Sequence, residues 1–108
     1  RGELWKAMLC CDGHMKSLLL RMMRLYPCGD RETWHSARFV EQWAPPELKP
    51  FFKDIFASYG YEEIRKALLH SMDLFTLTGE KVFGFFGVSW PDRLVREARQ
   101  LTDDIFRA

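Results

Sequence analysis

From Glu3 to Tyr26 the apolar side chains fall at Leu4, Ala7, Met8, Cys11, Met15, Leu18, Leu19, Met22 and Leu25. Steps of three and four, sustained over about six turns, predict one long amphipathic helix. Gly13 sits inside it, where glycine costs about 1 kcal/mol relative to alanine, and signals a bend or a close approach. The run "YPCGD" ends the helix, because Pro27 cannot continue it and Gly29 suits a turn. A short helix is expected from Ser36 to Trp43, with Ser36 as its N-cap. Pro46 and Pro50 then each offer a helix start, the second leading into "FFKDIFASY".

The clearest periodicity runs through Ile64, Leu68, Ser71, Phe75, Thr78, Val82 and Phe85, in alternating steps of four and three. It predicts a helix from Tyr61 to Phe86 with these residues on its inner face. Glu62 and Lys66 add an i,i+4 pair in the favourable order. Gly87 is placed for a C-cap and Pro91 for a new start. Leu94, Ala98, Leu101 and Ile105 then mark a last helix. "KVFGFFGV" has the composition of a strand, yet its apolar residues continue the helical stripe. The pattern predicts a single all-α domain over residues 1–108, a bundle of four to five helices framed by the two long ones.

Charge removes some functions from consideration. Sixteen basic and fifteen acidic residues leave a net charge of +1, so no bulk field draws the chain to nucleic acid or an anionic membrane. Lys16, Arg21 and Arg24, and later Arg93, Arg96 and Arg99, are offset by nearby acids and read as solvated helix faces. No apolar run reaches the roughly 20 residues that span a bilayer. Cys10, Cys11 and Cys28 are odd in number and unpaired in spacing, which fits a reduced, cytoplasmic setting. The chain opens at Arg1 and not at Met, and reads as a piece of something longer.

Complete catalytic sets are not visible. Cys10, Cys11 and His14 offer at most part of a zinc site, and His70 with Asp73 is equally short of ligands. Cys11 lies on the apolar stripe and reads as core. "TLTGEK" holds one glycine beside a lysine, too little to cradle a phosphate. Large side chains concentrate instead in "TWHSARFVEQWAPPEL", residues 33 to 48. Trp34, Phe39 and Trp43 can plug the end of the bundle. His35 and Arg38, one turn apart, can also point from that plug toward an anionic ligand, since a guanidinium matches phosphate or carboxylate.

Four ordered blocks carry a resemblance: "RGELWKAML…LLLRMMRLY", "TWHSARFVEQWAPPEL", "ASYGYEEIRKALLHSMDLF" and "VSWPDRLV". Together they resemble the C-terminal half of the aminoglycoside 6-adenylyltransferase (streptomycin adenylyltransferase) family, from Arg1 to Arg96. The resemblance implies a two-domain enzyme, in which an N-terminal α/β nucleotidyltransferase domain transfers AMP from ATP to an aminoglycoside hydroxyl. Carboxylates of that domain would hold Mg²⁺ and take the hydroxyl proton. ATP and Mg²⁺ thus belong to the parent enzyme, and this chain is expected to hold no cofactor and no catalytic residue. Its partners are expected to be the N-terminal domain and an aminoglycoside or other small hydroxylated substrate, with neither nucleic acid nor membrane.

The resemblance implies roles for a few residues. Glu3 and Asp12 are acids that could meet a polycationic substrate, and Trp34 and Tyr59 could form a stacked or packed wall. His35 and Arg38 are candidates for phosphate or interdomain contact. Antibiotic-modifying members carry a Gly-Lys-x-x-Lys pattern where this chain has Trp34-His35-Ser36-Ala37-Arg38. Arg38 keeps a cation at the second lysine, while His35 is mostly neutral near pH 7. The alternative is a noncatalytic helical module whose exposed aromatics bind a protein partner. A Gly-Ser pair and an Asp-x-Asp pattern upstream of Arg1 would mark the enzyme.

Overall fold

The computed structural model describes residues 3–26 and 40–107. The expected helix at Ser36 therefore lies outside the described residues up to Val40. The first long helix is present as a rod of three joined pieces: α1 (Leu4–Leu9), a π-helical segment (Cys10–Met15) and α2 (Lys16–Arg24). Gly13 falls in the π segment, and a Cβ there would meet nothing within 4 Å. It marks the change of winding and not a close approach. After α3 (Val40–Trp43) comes a short 3₁₀ helix (Lys49–Asp54) with Pro50 in its first turn. Pro46 stands in a turn, closed by the Leu48 amide donating to the Pro45 carbonyl at 2.9 Å.

The second long helix is α4 (Tyr61–Phe85), and it is the hub: α1, the π segment, α2, the 3₁₀ helix and α5 (Asp92–Arg107) all pack on it. Gly87 ends it at φ +71°, a backbone state that glycine enters without the Cβ penalty. Among the described residues there is no strand, so the chain is an all-α bundle. No described helix is long and apolar enough to cross a membrane.

The inner face of α4 keeps Ile64, Ser71, Thr78 and Val82 of the expected stripe but not its bulkiest members. Ile64, Ala67, Ser71, Leu74, Thr78, Gly79 and Val82 are buried. Leu68 and Phe75 are half-buried, and Phe85 is 64% exposed. The bulkiest residues suggested the stripe, but a hub helix needs small side chains where neighbouring backbones approach. Ala67, Ser71 and Gly79 supply them. Glu62 also pairs differently: its carboxylate accepts from Arg65 at 2.8 Å and not from Lys66.

The last helix shows an unexpected outward stripe. Leu94, Leu101 and Ile105 are each more than half exposed, and Ala98 lies exposed between them. Helix α5 docks through a neighbouring face instead. Arg99 grips Asp73 with two hydrogen bonds of 2.8 and 3.1 Å, and Arg65 reaches Asp103 at 2.7 Å. The Tyr61 hydroxyl donates to the Phe106 carbonyl, with the two rings edge to face at 5.3 Å.

Arg107 first, and then Arg65, hold the Asp103 carboxyl below the usual carboxylate range. A carboxyl depressed in the folded state stabilises above its ordinary value of about 3.9, and that contribution is lost as pH falls through the folded value. The melting temperature should therefore fall on acidification from pH 6 to about 2.5, and Asp103→Asn should fall less over the same span. An equal fall in both proteins would show that this carboxylate does not couple α5 to pH.

Candidate functional site

The π segment sets the chemistry of the site. Residues five apart lie about 140° apart around an α-helix of 3.6 residues per turn. A turn closed by i→i+5 bonds instead brings them to one side. Cys11 and Lys16 are such a pair, and both are buried, Lys16 at only 7% exposure. The Lys16 ammonium donates to the Cys11 carbonyl at 2.7 Å and to Ser71 Oγ on α4 at 2.7 Å, with Cys11 Sγ at 3.7 Å. The Ser71 hydroxyl in turn donates to the Ala67 carbonyl at 2.7 Å, with the Ile55 carbonyl at 3.2 Å.

This corrects the reading of Lys16 as a solvated residue, whereas Cys11 is core as expected. No described carboxylate forms an ion pair with Lys16. Burial therefore lowers the ammonium's pKa, against the pull of Cys11 and Asp12. Burial likewise pushes the Cys11 thiol up, opposed by the Lys16 charge. The ammonium also stands 5.2 Å from the centre of the Phe56 ring, within cation–π range.

Lys16 forms part of the wall of a cavity of about 400 Å³. Leu19, Leu20 and Met23 of α2, Val40 of α3, and Phe52 and Phe56 make most of the described lining apolar. Asp12, Ser17 and Glu41 add polar groups. Asp12 is half-buried, and its Oδ1 accepts from the Ala57 amide at 3.1 Å. That bond pins the chain after the 3₁₀ helix to the π segment.

Of the expected site residues, Asp12 is thus placed on a cavity wall. Glu3 is exposed just ahead of α1, nine residues earlier on the same rod, and is not among the described cavity lining. Tyr59 is exposed and meets Trp5 edge to face at 6.4 Å. Trp34, His35 and Arg38, like Phe39, lie outside the described residues. Trp43, from the same block, is a plug: it is 4% exposed within the main core. Lys16, Ser71 and Phe56 were missed. A lone lysine on a helix carries no sign of burial, since its partner Ser71 is 55 residues away.

A smaller cavity of about 270 Å³ lies between the 3₁₀ helix and α4, lined by Phe51, Asp54, His70, Asp73 and neighbouring apolar residues. Asp73 is already engaged by Arg99. Among the described residues no group of three or more His, Cys, Asp or Glu side chains could hold a metal ion. The described donors therefore do not fit Mg²⁺, and no chemical step is assigned to a metal here.

The described residues form an all-α bundle with a largely apolar cavity that Lys16 and Asp12 help to wall. A family model described as streptomycin adenylyltransferase matches residues 1–105. The chain belongs to that family. No curated protein matches it, and no solved structure does.

Proposed function

We propose that the chain is the substrate-cleft and scaffold half of a nucleotidyltransferase whose N-terminal domain transfers AMP from ATP to an aminoglycoside hydroxyl. The family match over residues 1–105 carries this reading. The Mg²⁺ and its carboxylates belong to the N-terminal domain, because metal-assisted transfer needs acids that hold the ion on the triphosphate. In this reading Glu3 and Asp12 supply negative charge toward a polycationic acceptor, and Trp34 and Tyr59 form part of its wall. His35 and Arg38 face the N-terminal domain or the nucleotide phosphates.

The outward stripe of α5 supports a docking role. A helix that leaves Leu94, Leu101 and Ile105 more than half exposed presents apolar surface suited to a neighbouring domain. The same stripe also suits the alternative, a noncatalytic module that binds a separate protein.

Transfer of labelled AMP from ATP to streptomycin separates the two readings. The 108-residue chain should show no turnover above a protein-free control, and the full parent protein should show turnover that requires Mg²⁺. Turnover by the chain alone would overturn its assignment as a noncatalytic half. A parent inactive on every aminoglycoside tried would leave the interaction module as the better reading.

A further inference from the structure

The cavity beside Lys16 has a defined imbalance of hydrogen-bonding capacity. Lys16 is the one buried cation in its described lining, and its donors are already directed to Cys11 and Ser71. Asp12 gives one oxygen to the Ala57 amide, and its carboxylate is in no ion pair with a described cation. Glu41 is exposed at the cavity and in no described ion pair. What remains open is acceptor capacity carrying negative charge. Its surroundings are Leu20, Met23, Phe52 and Phe56, which offer a hydrocarbon or ring surface no hydrogen bond.

We infer that this cavity binds a small organic amine, protonated at one end and apolar in its body. The ammonium sits against Asp12, with Glu41 adding charge, and the body packs on Phe52, Phe56 and Met23. A volume of about 400 Å³ lies within the range of about 300–1,000 Å³ usual for small-molecule sites. An aminoglycoside fits this chemistry poorly. Its rings carry hydroxyls on every side, and those facing the apolar wall would lose water without gaining a partner. The interior of the cavity thus suits a smaller amine than an aminoglycoside. The inference rests on the cavity and not on nucleotidyl transfer, so a parent inactive on aminoglycosides leaves it standing.

The test is a titration of the 108-residue chain, carrying ¹³C-methyl methionine, with 2-phenylethylamine, with its neutral counterpart 2-phenylethanol, and with streptomycin. The Met23 methyl resonance should shift and saturate with the amine, at an affinity about tenfold or more above that for the alcohol, as a charge-assisted bond predicts. Streptomycin should bind there more weakly than the amine. Asp12→Asn keeps an oxygen for the Ala57 amide and removes the charge, so the fold persists and the amine should lose most of its advantage over the alcohol, with only the smaller Glu41 contribution left. Exposed Glu41→Gln, which leaves the packing untouched, should weaken the amine by a smaller factor. Equal affinities for amine and alcohol, no saturable shift with any probe, or unchanged amine binding in Asp12→Asn would overturn the inference. So would streptomycin binding as tightly as the amine, a result that would instead place the aminoglycoside in this cavity.

Discussion

Trp43→Ala is expected to lower the unfolding free energy by about 3–5 kcal/mol, the range for removing a large aromatic from a packed interior. Trp43 stands at the end of α3, where the Ala44 amide still donates to the Val40 carbonyl at 2.9 Å. The turn that follows folds Leu48 back beneath it, so Trp43, Ala44 and Leu48 all enter one cluster. That cluster joins Leu19 and Met23 of α2 to Leu74 and Val82 of α4. Removing the indole therefore loosens three elements together. Urea denaturation of the two proteins gives the difference. The control is Phe85→Ala, which should stay within about 0.5 kcal/mol because that ring is exposed. A loss under about 1 kcal/mol for Trp43→Ala would mean that the bundle is not closed by this residue.

The contrast between Trp43 and Phe85 shows what a linear pattern can carry. Helix extent was legible: steps of three and four marked both long helices, and Gly87 and Pro91 marked the break between α4 and α5. Helix phase was less so. Phe75 and Phe85 looked like inner residues because they are large, yet the inner face of α4 also takes in Ala67 and Gly79, which the pattern passed over. Small residues give no hydrophobic signal, although they decide how closely helices approach. The π segment hid Lys16 for a related reason. Counting at 3.6 residues per turn sends Lys16 to the side away from Cys11, and only the changed winding brings the two together. Asp12 was found as a candidate from the family resemblance, but the cavity around it needs α2, α3 and the 3₁₀ helix at once. Nothing in one segment announces it.

Gly79→Ala is the second change expected to act strongly, and its sign should depend on a residue eleven positions away. Inside a helix this substitution is ordinarily favourable by about 0.5–1 kcal/mol, since alanine loses less backbone freedom on folding. At Gly79 a Cβ would run into the ring of Trp90, which lies across this point of α4. Trp90 is wedged there by Phe83, edge to face at 4.8 Å, and by Phe75 at 6.2 Å. Its Nε1–H is buried with no acceptor among the described residues, so ring packing holds the indole in place. A methyl at position 79 must push that ring outward and open the contact with both phenylalanines. The expected net cost is about 1–3 kcal/mol, as for other overpacked sites. In a Trp90→Ala background the obstacle is gone, and Gly79→Ala should become stabilising by up to about 1 kcal/mol. Gly84 provides the reference on the same helix, because a Cβ there meets nothing within 4 Å. Gly84→Ala should be neutral or mildly stabilising in both backgrounds. Thermal melts of the four Gly79/Trp90 combinations give the coupling directly. If Gly79→Ala changes stability equally with and without Trp90, the indole does not rest on this glycine, and the close packing of the turn before α5 against α4 has been misassigned.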